Sequence, residues 1–301
     1  MGKTAFLFAG QGSQYVGMGK SLYENNETAR KMVETADAVT NNMMTDICFN
    51  GDIETLSDTK YTQPCMFIHE CMCVEALKEK GITPDGVAGF SLGEYGALYT
   101  AGCFDFETGL DLVISRGQFM NECASKTLGG MVAILGMEDS KVIEIANQTN
   151  VYPVNYNCDG QLVVAGEMGN IDKLCEVLEE MGAKFKKLNV SGAFHSPLMN
   201  GASENIAKYL EDKDIKNPSI DLYANATGSI LTSDVKENMA KQLKSPVKWK
   251  QTIKLMIEDG YDTFIEIGAG KTLKGLMRKI SRDVTVFNVD TFEDIEKLGE
   301  K

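Results

Sequence analysis

Gly86-Val87-Ala88-Gly89-Phe90-Ser91-Leu92-Gly93-Glu94-Tyr95-Gly96-Ala97-Leu98-Tyr99-Thr100-Ala101 reads as a short strand over 86–90, a glycine-flanked turn, and a helix over 92–101. Its centre, Gly89 to Gly93, is a G-x-S-x-G pattern in the strand–turn–helix setting that the pattern requires. The two glycines permit a turn tight enough to lift the Ser91 hydroxyl out of the sheet. The same turn aims the Leu92 backbone N–H, at the helix start, toward a reacting carbonyl. The plain alternative is an ordinary glycine-flanked helix start.

A serine hydroxyl needs a base to act as a nucleophile at neutral pH, and the chain has only two histidines. His195 lies in the loop Gly192-Ala193-Phe194-His195-Ser196-Pro197, and His69 lies mid-helix between Ile68 and Glu70. Functional side chains favour loops held by a rigid scaffold, which points to His195. Cys65, His69 and Cys73 share one helix face, but at i, i+4 and i+8 three ligands on one straight helix span about 12 Å, too far to share an ion. They read as packed core residues, and no metal is expected.

Around this turn, strand and helix signals alternate. A strand over 4–9 ends in Gly10-Gln11-Gly12, a helix over 63–80 is closed by Gly81, and another helix covers 106–123. Such alternation implies an α/β fold with a largely parallel sheet. The middle of the chain differs. Strand 131–135, helix 141–148, strands 152–157 and 161–165 about Cys158-Asp159-Gly160, helix 171–181 and strand 184–188 follow the order β-α-β-β-α-β. That is the ferredoxin-like order. The segment is bracketed by Leu128-Gly129-Gly130 and Ser191-Gly192. The expected division is therefore a large domain of residues 1–127 and 196–301, with a small ferredoxin-like domain, 128–195, inserted in it. Alternation then resumes through a strand over 261–266 and a helix over 273–280.

Two other glycine-rich turns invite a ligand. Gly10-Gln11-Gly12-Ser13-Gln14 fails the dinucleotide pattern at Tyr15, yet it follows a strand, where N–H groups can face an oxyanion. Gly268-Ala269-Gly270-Lys271-Thr272 imitates a phosphate loop, but Ile265 stands where the pattern needs glycine, so no nucleotide is expected there. Arg116 sits late in an apolar helix. A guanidinium there is a structural ion pair, an exposed arginine, or a fork for a carboxylate.

Composition sets the outer limits. At 301 residues, with 43% hydrophobic and 24% charged, the chain is globular, neither disordered nor fibrous. A net charge of −13 argues against nucleic acid or an anionic membrane as a partner. The apolar run at the N-terminus is too short for a signal peptide, and Phe6 breaks the myristoylation pattern after Gly2. No apolar stretch approaches the ~20 residues of a membrane span. Eight cysteines with no secretory segment ahead of them fit free thiols in a reducing cytoplasm.

Taken together, FAGQGSQYVGMG (8–19), YTQP (61–64), GFSLGEYGAL (89–98), SRGQFM (115–120), PVNYN (153–157), SGAFHSPLM (191–199), KQLKSPVKW (241–249) and EIGAGKTLKGL (266–276) make the chain resemble one family. It is that of the malonyl-CoA:acyl-carrier-protein transacylases of fatty-acid and polyketide synthesis. The resemblance covers nearly the whole chain in family order. It implies a hydrolase-like α/β large domain with a ferredoxin-like insert, and ping-pong transfer of a malonyl group to the phosphopantetheine thiol of an acyl carrier protein, with no cofactor. It also implies roles. Ser91 would be the nucleophile and His195 the base, oriented by the backbone carbonyl of Gln242. The N–H groups of Gln11 and Leu92 would form the oxyanion hole. Arg116 would hold the malonyl carboxylate, and Phe194 would leave little room for an α-methyl branch. The family has histidine before the nucleophile where this chain has Phe90. That histidine is not the base, so catalysis should survive while packing behind the turn changes.

Three alternatives share parts of this reading. A serine acyl-thioester hydrolase would use the same Ser91 and His195, and a trans-acting polyketide-synthase acyltransferase would use the same chemistry in another pathway. A non-enzymatic docking module would need the site to be dead. Acyl carrier proteins are typically acidic, and so is this chain, but unevenly. Residues 236–282 hold nine Lys and two Arg against five acids, a net of +6, which leaves −19 for the rest. That stretch and residues 184–187, with Lys184, Lys186 and Lys187, are the expected carrier-protein docking face.

Overall fold

Two sheets carry the structure, a computed structural model that describes residues 2–190 and 192–300. Ser191, part of the expected boundary bracket, lies outside the described residues. In chain order the elements are β1 (Lys3–Phe8), α1 (Lys20–Asn25), α2 (Glu27–Thr40), a π-helical turn at Met43–Phe49, α3 (Ile53–Leu56), α4 (Thr59–Glu79), β2 (Gly86–Gly89), α5 (Gly93–Thr100) and α6 (Phe106–Lys126). There follow β3 (Gly129–Leu135), α7 (Asp139–Thr149), β4 (Tyr152–Cys158), β5 (Gln161–Glu167), α8 (Met168–Glu180) and β6 (Lys184–Lys187). The chain then adds α9 (Asn200–Leu210), β7 (Asp221–Ala224), β8 (Ser229–Ile230), α10 (Val235–Gln242), α11 (Trp249–Glu258), β9 (Tyr261–Ile267), α12 (Thr272–Ile280), β10 (Thr285–Val289) and α13 (Phe292–Gly299).

The first sheet has the order β10-β9-β1-β2-β7-β8, parallel throughout except for the short β8. Its central strand β1 is buried from Ala5 to Phe8, as expected of a parallel strand covered by helices on both faces. Side-chain caps start the long helices that pack on it. Asp58 accepts from the Lys60 N–H at the head of α4, and Asp105 accepts from the Thr108 N–H at the head of α6. Gly81, with φ of 74°, follows the end of α4 in the left-handed conformation that glycine adopts without strain.

The second sheet has the order β4-β5-β3-β6, antiparallel, with α7 and α8 between its strands in sequence, which is the ferredoxin-like arrangement. Alternation along its strands gives it two apolar faces. Val132, Ile134, Leu162 and Val164 pack with Val142, Ile145 and Leu174 of the helices in a separate core. Met131, Ala133, Val163 and Ala165 point the other way and join the large core. The small sheet thus closes over the carboxyl edge of the large one. It is also tied there by backbone bonds, with Val247 donating to Val154 O and accepting from Tyr156 N–H. Every strand and helix read from the sequence is present, with ends displaced by up to four residues. Among the described residues no helix is long and apolar enough to cross a membrane.

Candidate active site

The turn between β2 and α5 is as tight as its sequence requires. Ser91 has φ of 54°, a left-handed conformation that costs a non-glycine residue about 1 kcal/mol or more. A β-carbon on Gly89 would overlap the Gly93 backbone, and one on Gly93 would overlap the Phe8 carbonyl. Only glycine at both ends lets β1, the turn and the helix approach this closely. Asn225, just after β7, holds the turn from below. Its Oδ1 accepts the Ser91 N–H at 2.7 Å, and its amide N–H donates to Gly89 O. Its own backbone N–H donates to the buried Glu94 carboxyl at 2.6 Å, whose other oxygen accepts from Asn238 at 2.8 Å. Burial raises the Glu94 pKa to about 7, against the pull of those donors and of Arg116.

Ser91 Oγ lies 2.7 Å from His195 Nε2. His195 Nδ1 is 3.0 Å from the backbone carbonyl of Gln242. A carbonyl can only accept, so Nδ1 carries the proton, and the neutral ring presents Nε2 as an acceptor to the Ser91 hydroxyl. His195 itself has φ of 60°, and its N–H donates to Leu243 O at 3.1 Å. Burial and then the positive charge of Arg116 push its pKa down to about 4, opposed by backbone bonds at Gln242 and Ser245. The imidazole is therefore neutral across the physiological range and free to take a proton.

Arg116 is completely buried on α6. Its guanidinium donates to Gln63 Oε1 at 2.7 Å, to Gln242 Oε1 at 3.0 Å and to Ser91 Oγ at 3.3 Å, and it lies 5.4 Å from the centre of the Tyr95 ring. These partners are all neutral, and its Nε–H has none. Burial lowers its pKa, the direction expected of a cation taken out of water. Of the readings left open by the sequence, an exposed arginine is excluded by burial, and a structural ion pair is excluded among the described residues. What remains is a buried charge beside a hydroxyl, with room for an anion.

A cavity of about 80 Å³ holds this group, lined by Ser91, Arg116, His195, Phe194, Met120 and Met131 among others. Gln11 and Leu92 line it too, and among the described residues neither backbone N–H donates to a protein acceptor. The Gln11 side chain is anchored to Thr59 Oγ1 at 3.1 Å. A second cavity, about 200 Å³, opens outward between the two sheets and shares Gln11, Phe90, Asn155 and Leu188 with the first. Every residue singled out for the site, Ser91, His195, Gln242, Gln11, Leu92, Arg116 and Phe194, converges here. Gln242 does more than expected. Besides its backbone carbonyl, its side chain donates to Ser91 O at 2.7 Å and accepts from Arg116. Asn225 and Gln63 were not foreseen. Asn225 lies outside every motif, Gln63 lies in YTQP but was given no role, and their partners lie 134 and 53 residues away in sequence.

The sites set aside on sequence grounds are occupied internally. His69 is buried, with Nε2–H donating to Asp290 O at 2.8 Å. The Gly270 N–H donates to Asp290 Oδ2 at 3.1 Å. Three of the expected docking lysines are also engaged, Lys187 with Asp172, Lys250 with Asp139 and Asp159, and Lys254 with Asp159.

Residues 5–291 match the family described as the acyl transferase domain, which sets the class of protein. The chain is 40% identical to the malonyl CoA-acyl carrier protein transacylase of Bacillus subtilis strain 168, over 98% of this chain and 96% of that one. The crystal structure of the Clostridium perfringens malonyl CoA-acyl carrier protein transacylase superposes with a TM-score of 0.93 at 37% identity, covering 98% of this chain and 96% of that one. A malonyl-transacylase solved in complex with a type II PKS acyl-carrier protein superposes at 0.95 with 30% identity, covering 99% of each chain. The chain belongs to the malonyl CoA-acyl carrier protein transacylase family.

Proposed function

We propose that the chain moves a malonyl group from malonyl-CoA to the phosphopantetheine thiol of an acyl carrier protein through an ester on Ser91. The observation that carries this is the 3.3 Å contact between Ser91 Oγ and a buried guanidinium that has only neutral partners. A nucleophile and an unpaired cation side by side suit an acyl group with its own carboxylate. An acetyl group would leave Arg116 unpaired and is disfavoured for that reason.

The steps follow from the contacts. Ser91 Oγ attacks the thioester carbonyl while His195 Nε2 takes its proton, and Gln242 O steadies the imidazolium through Nδ1–H. The developing oxyanion is held by the N–H groups of Gln11 and Leu92. The C–S bond breaks, and coenzyme A leaves with the proton from His195. The carrier thiol then attacks the ester carbonyl, giving its proton to His195 Nε2; the bond from that carbon to Ser91 Oγ breaks, and Oγ takes the proton back. Phe194 packs over Gly192, where a β-carbon would come within 2.8 Å of its ring, and so narrows the space beside the acyl group. The outer cavity suits the pantetheine arm, because the buried Oδ1 atoms of Asn155 and Asn157 lack donors that the arm's amides can supply.

The same reading divides the chain into 1–127 with 196–301 as the catalytic unit and 128–195 as the insert. Its eight unpaired cysteines support a cytoplasmic setting. With Lys187, Lys250 and Lys254 engaged, the docking face falls to basic residues that form no such pair among the described residues, including Lys186, Lys274, Arg278 and Arg282. The test is a product assay with malonyl-CoA and holo acyl carrier protein. Malonylated carrier forming faster than free malonate, with a rate that falls as salt rises, is the expected outcome. Free malonate as the main product makes the chain a hydrolase and overturns the proposal.

A further inference from the structure

Phe90 has no part in the steps above, yet its position is closely specified. Its N–H donates to Phe8 O at 2.9 Å, and its carbonyl accepts from the Gly93 N–H at 3.0 Å, so the backbone is fixed by strand and turn. The ring packs edge-on against the fully buried Trp249, with centroids 5.6 Å apart and planes at 62°. On the other side lies Gly10, where an added β-carbon would meet Phe90 Cδ1 at 3.2 Å. Held between Trp249 and the Gly10 turn, the ring lines both cavities. Among the described residues only Gln11, Phe90, Asn155 and Leu188 do so, and they form the neck where the inner cavity meets the outer one. Phe90 is the one aromatic of the four, and it is joined directly to Ser91.

We propose that Phe90 is the apolar barrier of this neck, and that it sets how the Ser91 ester divides between thiol and water. The inference rests on the reading of Ser91 as the acyl carrier. Hydrolysis and transfer use the same machinery. In hydrolysis a water oxygen bonds to the ester carbonyl carbon and its proton passes to His195 Nε2. The bond from that carbon to Oγ then breaks, Oγ takes the proton back, and free malonate leaves. Transfer differs only in that sulfur forms the new bond. Base and oxyanion donors are common to both, so the protein discriminates by access. While the arm fills the outer cavity, water is displaced. Once the arm has gone, the polar atoms at the neck are those of Gln11 and Asn155, and a Phe90 ring with no hydrogen-bonding atom denies water a further partner, short of the about three that an ordered water makes.

The test is to load the wild type, Phe90→Ala, Phe90→Leu and Phe90→His with malonyl-CoA, remove the coenzyme by rapid desalting, and follow the ester by intact mass, in buffer and with added pantetheine. The ester should decay in buffer about tenfold faster in Phe90→Ala than in the wild type, a difference of about 1.4 kcal/mol in barrier. Phe90→His, which keeps a ring but adds polar nitrogens, should decay faster than Phe90→Leu, and Phe90→Leu should stay near the wild type. The ratio of pantetheine transfer to hydrolysis should fall in the same order. Equal decay in all four proteins overturns the barrier role while leaving the Ser91 ester intact. No ester on the wild type overturns both.

Discussion

Two glycine-flanked turns leave the carboxyl edge of the same sheet, one after β2 and one after β9, with only β1 between them. Both look like ligand loops in sequence. After β9 the donors are spent inside the protein, Gly270 N–H on Asp290, and Leu273 and Lys274 N–H on the two oxygens of buried Glu266 at 2.8 and 2.9 Å. Internal carboxylates take the place an external anion would fill, and the start of α12 is capped and closed. After β2 the acidic residue is displaced. Glu94 lies beneath the turn, bonded to Asn225 and Asn238, and the neutral amide of Asn225 takes the Ser91 N–H. Among the described residues no carboxylate takes the Leu92 N–H or the Arg116 guanidinium, and both residues line the cavity. Glycine spacing sets the shape of such a turn, and the location of the nearest carboxylates decides whether it can serve a ligand.

The sharpest way to break the comparison is to remove the unpaired charge. Arg116→Ala should lower the preference of Ser91 acylation for malonyl-CoA over acetyl-CoA by about 10³-fold or more, read as the ratio of kcat/KM values. The pH profile gives the same experiment a second readout. With its folded pKa lowered to about 4, His195 stays neutral until well below its ordinary range, so wild-type kcat/KM should hold down to about pH 4 and fall below it. Taking away Arg116 removes one of the two depressing causes, and the acidic limb should move to higher pH. A wild-type limb near pH 6.5, or no movement in the variant, contradicts the electrostatics described here.

A smaller effect is expected at the other turn. Glu266→Ala should uncap α12 and lower stability by about 1–2 kcal/mol in denaturant unfolding. Because its carboxylate serves only the helix start, acylation of the folded protein should change little. A large loss of acylation without loss of stability would mean that the closed turn also serves the reaction.

Much of this was legible in the sequence where pattern and geometry coincide. The β-α-β-β-α-β order could be read because its strands alternate and its helices are amphipathic, and Ser91 and His195 could be read because glycine-bounded loops present them. The π-helical turn and the short α1 and α3 carry no periodic signal, α2 went unread although Ala29, Met32, Val33 and Ala36 form an apolar stripe along it, and β7, β8 and β10 were too short or too mixed to stand out. Asn225, Gln63 and the Gln242 side chain act through pairings between distant elements that no local pattern encodes. Glu70 shows the reverse case. It is a lone acid in the most apolar part of α4, buried with both carboxyl oxygens unpartnered, and burial raises its pKa well above the carboxylate range. Its position was visible in the sequence, but its isolation emerges only once α4 is packed.

The central claim is that Ser91 carries the acyl group. Wild-type protein and Ser91→Ala, each mixed with malonyl-CoA, desalted, weighed intact and then digested for peptide mapping, test it directly. The account predicts one malonyl adduct on the wild type, located on the peptide that contains Ser91, and none on Ser91→Ala. An adduct of equal yield on Ser91→Ala, or one mapped to another residue of the wild type, would contradict it.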